Sequence, residues 1–236
     1  MSASLVSLID HALLHPTLTD AELIDGCRLA KQLGVATVCV KPYAVAQAVE
    51  CLAGSPVFVS TVIAFPHGAM LTETKVLETR RACEQGAREV DMVVNVGKVL
   101  SGDWEFVESD IRAVVDAARA LDAITKVIFE TDYLPEDDDK IHLCQVATRA
   151  GAAFVKTSTG FGFVKQADGS MQTRGATEHD VRLMLQHVGP GVRVKASGGI
   201  RSFDDAKRFV ELGVTRLGTS ASEAIAAGQV AEPGGY

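Results

Sequence analysis

Eight short β-type runs recur along the chain, each followed by a stretch with helical spacing, and no other feature of the sequence limits the fold as much. The runs are 9–13, 37–40, 57–64, 89–94, 124–130, 154–157, 192–196 and 214–218. Between them lie helix start and stop signals. Thr19 with Glu22 forms a capping box before Leu23, Cys27, Ala30 and Leu33, and Gly34 ends that helix. Asp103 caps 104–121, where Ile111, Val114, Val115 and Ala118 form one stripe, and Ser202 with Asp205 opens a further helix that Gly213 ends. Strand–helix alternation implies a parallel sheet covered by helices, and eight units with short connections close most simply as a (β/α)8 TIM barrel. An open doubly wound sheet is the alternative, but no G-x-G-x-x-G follows the first strand and no G-x-x-x-x-G-K-[ST] occurs. One α/β domain over 1–236 is expected, ending in a Gly-containing, mobile tail at 228–236.

Charge and composition exclude some partners. A net charge of −7 argues against a broad electrostatic grip on nucleic acid or an anionic membrane, while a small anionic ligand needs only a few local cations. No apolar run approaches the roughly 18 residues of a membrane span, and residues 1–16 lack a basic segment followed by a long apolar one. The five cysteines include no C-x-x-C pair and read as reduced thiols, so a cytoplasmic protein is expected. The six histidines form neither H-x-H nor H-E-x-x-H, so neither a metal nor another cofactor is expected.

Two runs carry a lysine where a core residue is expected: Phe154-Val155-Lys156-Thr157-Ser158 and Val194-Lys195-Ala196-Ser197. With Val155, Val192 and Val194 under the helices, alternation turns both lysines into the barrel. The same parity places Thr37, Cys39 and Lys41 inward on the second strand, Thr61 and Ile63 on the third, Asp91, Val93 and Asn95 on the fourth, and Lys126, Ile128 and Glu130 on the fifth. A lone inward lysine is readily explained by snorkelling to solvent. Two of them with Asp91 suggest chemistry. Lysine attacks a carbonyl only as the neutral amine, and burial plus a neighbouring cation both favour that form. Lys195 is then the charge that makes Lys156 nucleophilic, and Asp91 the proton shuttle. Ser197-Gly198-Gly199 and Gly218-Thr219-Ser220 end the seventh and eighth strands, where this fold frequently binds phosphate.

The segments FVKTSTGFG, VKASGGI, EVDMVVN, TVCVKP and LIDHALLHP closely resemble those of the deoxyribose-phosphate aldolases, over nearly the whole chain and in order. The resemblance implies a class I aldolase that reversibly cleaves 2-deoxy-D-ribose 5-phosphate to D-glyceraldehyde 3-phosphate and acetaldehyde, without metal. It implies a Schiff base on Lys156, perturbed by Lys195, with protons relayed by Asp91. Asp10 and Cys39 fall where the family lines its pocket, and Gly198, Gly199 and Ser220 where it holds phosphate. Phe161 stands where some members have a lysine, so one phosphate contact is missing. Tyr236 stands where the family often ends in a proton-transferring tyrosine, although the preceding tail matches poorly. Two other readings stay open: a metal-independent phosphosugar isomerase with Asp91 as base, and a non-catalytic sugar-phosphate-binding regulator. The implied partners are small phosphorylated sugars and aldehydes, and the sequence leaves association into a homo-oligomer open.

Overall fold

In the computed structural model, which describes residues 5–231, the strand–helix alternation closes on itself. The strands are β1 (Ile9–Leu13), β2 (Thr37–Val40), β3 (Phe58–Ile63), β4 (Glu89–Val93), β5 (Ile124–Ile128), β6 (Phe154–Lys156), β7 (Val164–Lys165), β8 (Met171–Gln172), β9 (Arg193–Ser197) and β10 (Arg216–Thr219). Eight form a closed parallel barrel in the order β1-β10-β9-β6-β5-β4-β3-β2. The two-residue strands β7 and β8 make an antiparallel hairpin in the connection after β6. That hairpin escapes a periodicity reading because two residues carry no period; only its turn, where Asp168 Oδ1 accepts the Ser170 N–H at 2.9 Å, leaves a sequence trace.

Helices α1 (Asp20–Leu33), α2 (Val45–Cys51), α3 (Thr72–Glu84), α4 (Val96–Leu100), α5 (Trp104–Arg119), α6 (Asp137–Ala150), α7 (Glu178–His187), α8 (Phe203–Leu212) and α9 (Ser222–Ala226) wrap the ring. Both capping boxes form, Thr19 with Glu22 on α1 and Ser202 with Asp205 on α8. One continuous core lies between helices and sheet, built from outward strand residues such as Ile9, Val38, Val90, Met92, Val127, Val155, Val194 and Leu217. Each buried aliphatic side chain there contributes about 1.5–3 kcal/mol, so the barrel is held from outside. Its interior is thereby free to be polar. Among the described residues no helix is long and apolar enough to cross a membrane.

Three parity expectations are corrected. β3 turns Ser60 and Val62 inward, not Thr61 and Ile63: Ser60 Oγ lies 3.3 Å from Lys126 Nζ, Val62 packs with Cys39, and Thr61 Oγ1 donates to Val40 O at 2.8 Å. Residues 57–64 carry one small hydroxyl residue on each face, Ser60 and Thr61, among apolar neighbours, so their pattern does not mark the inward face; the pairing of Ser60 with Cys39 sets the register. Asn95 has left the barrel and caps α4, accepting the Lys98 N–H at 3.2 Å. Lys41 has left it too, donating to His15 O at 2.8 Å. Of the tail, residues 228–231 turn back on α8, Ala231 N donating to Arg201 O at 2.9 Å and Val230 bridging Ser202. Tyr236 lies outside the described residues.

Candidate active site

Asp91, at the middle of β4, is fully buried, and both of its oxygens are engaged by amines from other strands. Oδ2 accepts from Lys156 Nζ at 2.9 Å and from Lys195 Nζ at 2.8 Å, so the two lysines meet on one oxygen atom. Oδ1 accepts from Lys126 Nζ at 2.6 Å. Lys195 also donates to Asp10 Oδ2, while Asp10 Oδ1 accepts from Thr37 Oγ1 at 2.8 Å and from Arg216 at 2.6 Å. Glu89 closes the lower side, accepting two hydrogen bonds from the Arg216 guanidinium at 2.7 and 3.1 Å and pairing with Lys126 at 2.7 Å.

Above this network is a cavity of about 320 Å³ at the carboxyl ends of the strands, where this fold places its sites. Asp10, Cys39, Lys156 and Lys195 line its floor, and Gly198, Gly199 and Ser220 line the wall. Asp91 lies beneath the floor, in contact with the two amines and not with the cavity. All eight expected site residues are therefore in one place. Gly198 and Gly199 have φ of 93° and 76°, a conformation that favours glycine, and a Cβ on Gly198 would stand 2.8 Å from Gly175 Cα. The Ser197-Gly198-Gly199 turn is thus fitted against the segment that follows the hairpin, with Ala176 N donating to Gly198 O at 3.1 Å.

The environment drives the two lysines apart. Burial pushes Lys156 below the ordinary lysine value; Asp91 opposes this and the Lys195 charge adds to it. Burial acts on Lys195 as well, but the Asp10 and Asp91 carboxylates outweigh it and hold its ammonium above the ordinary value. Burial alone would raise Asp91, yet Lys126, Lys156 and Lys195 together hold it well below the usual carboxylate range. Burial raises the Cys39 thiol, which is neutral at physiological pH. An amine whose proton affinity is lowered and an ammonium whose proton affinity is raised, both bonded to one carboxylate oxygen beneath the floor of a cavity, are suited to forming an imine and moving its protons.

A model described as DeoC/LacD family aldolase matches residues 4–229. The chain belongs to the DeoC/LacD aldolase family. A deoxyribose-phosphate aldolase of Geobacillus sp. (strain WCH70) is 48% identical over 231 residues, which is 98% of each chain. One from Listeria innocua is 44% identical over 234 residues, covering 99% of this chain and 100% of that one. The tetrameric structure of deoxyribose phosphate aldolase from Aeropyrum pernix matches with a TM-score of 0.84 at 32% identity, over 94% of this chain and 89% of that one.

For this DeoC/LacD chain, sequence reasoning missed Glu89 and Arg216, and gave Lys126 no task. Glu89 and Arg216 each stand two residues before an inward position, Asp91 and Gly218, so strand parity held the signal. Glu130, read only as inward, has another task. At φ 56° it accepts the Thr159 N–H at 3.1 Å and the Thr159 hydroxyl, pinning the loop after Lys156. Thr157 Oγ1 donates to Ser197 O at 2.9 Å and accepts Ser197 N–H at 3.0 Å, tying together the ends of the two lysine strands. Phe161 meets Phe65 edge-on at 5.4 Å beside Leu14, Cys39 and Val62, a surrounding that suits an aromatic ring and not an ammonium. Away from the barrel, Asp137, His179 and Asp180 converge between α6 and α7. Lys140 already bonds Asp137 at 2.9 Å and Asp180 at 2.7 Å, taking the place a cation would occupy.

Proposed function

We propose that this chain reversibly cleaves 2-deoxy-D-ribose 5-phosphate to D-glyceraldehyde 3-phosphate and acetaldehyde through a Schiff base on Lys156. The substrate is that of the relatives' names; the mechanism follows from the geometry. The neutral Lys156 amine adds to the aldehyde carbon, and the carbinolamine loses water with a proton from the Lys195 ammonium. The protonated imine withdraws electrons as the C3 hydroxyl gives up its proton to the now neutral Lys195 amine and the C2–C3 bond breaks, leaving an enamine on Lys156, releasing glyceraldehyde 3-phosphate and restoring the Lys195 ammonium as the acid for the next step. Protonation of the enamine carbon and hydrolysis release acetaldehyde and restore the amine. Asp91, 2.9 Å from the reacting Lys156 nitrogen and 2.8 Å from Lys195, passes protons between the two and keeps Lys195 charged. Asp10 holds Lys195 from its other side.

The phosphate end of the substrate belongs against Gly198, Gly199 and Ser220. There the backbone is open to close approach, and Arg201 lines the same wall. Cys39 contributes a neutral wall. Assembly into a homo-oligomer agrees with the tetrameric Aeropyrum pernix relative, and a cytoplasmic place agrees with five free cysteines.

One observation carries this reading: Lys156 and Lys195 share a single Asp91 oxygen at the floor of the cavity while their proton affinities are driven in opposite directions. Borohydride reduction with acetaldehyde is expected to fix a two-carbon adduct on Lys156, and Lys156→Met to lower turnover by on the order of 10⁴-fold or more. Turnover that persists with no adduct on any lysine defeats the Schiff base and favours an isomerase.

A further inference from the structure

The ion-paired groups under the cavity floor hold one more cation than anion. Lys126, Lys156, Lys195 and Arg216 meet Asp10, Glu89 and Asp91, and the most exposed of the seven side chains, Arg216 and Glu89, are only 13% and 8% accessible. Their shares are unequal. Arg216 holds two carboxylates, Lys195 holds two, and Lys126 holds three: Asp91 at 2.6 Å, Glu89 at 2.7 Å and Asp10 at 3.3 Å. Lys156 holds only Asp91, through the oxygen that it shares with Lys195. In a buried set with a surplus positive charge, the amine with the fewest anionic partners is the one that gives up its proton.

Lys126 is fully buried and does not line the cavity, so it cannot touch substrate. Resting on the Schiff-base reading, we propose that Lys126 is a positioning residue: its ammonium, set among Asp91, Glu89 and Asp10, takes up the negative charge that would otherwise hold Lys156 as an ammonium. It acts through Asp91 Oδ1, leaving Oδ2 alone for the two working amines. The other groups around Lys156 are accounted for. Cys39 faces it from β2 as a neutral thiol, and Lys195 faces it from β9 as a cation. The Glu130 carboxylate, just beyond β5, is given to Thr159. Arg193, at the lower end of β9, lies 3.9 Å over the Phe154 ring with Arg216 on the same ring at 5.3 Å, so both guanidiniums close the bottom of the barrel.

The test is the pH profile of kcat/KM, whose acid limb reports the free-enzyme Lys156 amine, together with the pH dependence of borohydride trapping. Lys126→Met leaves three cations on three anions, so the acid limb moves up by about one pH unit or more. Activity falls roughly tenfold at a pH within the wild-type limb and recovers in alkali. Glu89→Gln removes an anion and moves the limb down. The double variant returns it to within about half a unit of wild type. A general loss of packing would lower the rate at every pH and would not reverse sign between the two single variants. An acid limb that stays or moves down in Lys126→Met, with trapping still on Lys156, overturns the role of Lys126 and leaves the aldolase reading standing. Absence of trapping on Lys156 in the wild type defeats the aldolase reading instead. If Lys126→Met does not fold, Glu89→Gln carries the test, and a limb that stays or moves up overturns the proposal.

Discussion

Lys156 and Lys195 occupy directly paired positions on neighbouring strands, each preceded by valine, each no more than 2% accessible, and yet their proton affinities are driven in opposite directions. Local sequence does not separate them. The strands on their far sides do: Lys195 adjoins β10 and reaches across it to β1, from which Asp10 supplies a second carboxylate, whereas Lys156 adjoins β5, whose nearest inward charge is another lysine. Burial costs both ammoniums heavily, and only the one with two anions recovers that cost. The order of strands around the ring thus sets which lysine holds its proton more tightly.

The largest effect that tests this contrast is on stability. Lys195→Met leaves Asp10 and Asp91 short of a cation in a dry interior, and a loss of about 3–5 kcal/mol in denaturant unfolding is expected. Lys156→Met removes a buried amine that has little anionic support and should leave stability within about 1 kcal/mol of the wild type, or raise it. Equal losses for the two variants would mean that the lysines are equivalent and that the asymmetry of their partners has no energetic weight.

The same contrast marks what could be read before any coordinates. The barrel was legible because helix caps and glycines punctuate it eight times, and Lys156, Lys195 and Asp91 stood out because each interrupts an apolar strand. Glu89 did not stand out, since a charged residue at the first position of a strand looks like a solvated edge, and Arg216 did not because it lies within a run of only five residues. Only ring closure brings them to Asp10 and Lys126. Ser60 was hidden by its neighbour Thr61, which puts a similar hydroxyl on the opposite face of an otherwise apolar strand. Burial and the Lys195 charge were both expected to lower Lys156, and both do, with burial the larger cause. Sequence shows which charges enter the barrel, not how deeply or how many carboxylates each will share.

A smaller effect appears in the pH dependence of stability. Because the folded Lys156 value is below 10.5, the unfolded chain binds one more proton between that lowered value and 10.5, and stability rises with pH there by up to about 1.4 kcal/mol per unit. Lys195 has the opposite sign. Its folded value is raised, so its contribution is fully present below 10.5 and is lost as pH climbs above it. Subtracting the Lys156→Met curve from the wild-type curve isolates the first contribution from the titration of buried cysteines. The difference should rise with pH below 10.5. A flat or falling difference would show that folding leaves the proton affinity of Lys156 unchanged or raised.

The smallest expected effect presses on one lysine only. Gly218 is the inward residue of β10 above Arg216, and a Cβ there would stand 2.6 Å from Ser197 Oγ and 3.1 Å from Lys195 Cε. The serine hydroxyl can rotate away. The lysine chain is held at its tip by Asp10 and Asp91 and must shift by a few tenths of an ångström. Gly218→Ala should therefore lower kcat by about three- to tenfold, by misplacing the proton donor, while the rate of imine trapping on Lys156 stays within about twofold. If trapping slows as much as turnover, displacement of Lys195 is felt fully at Lys156, and the two amines act as one unit through their shared Asp91 oxygen instead of as separate nucleophile and acid.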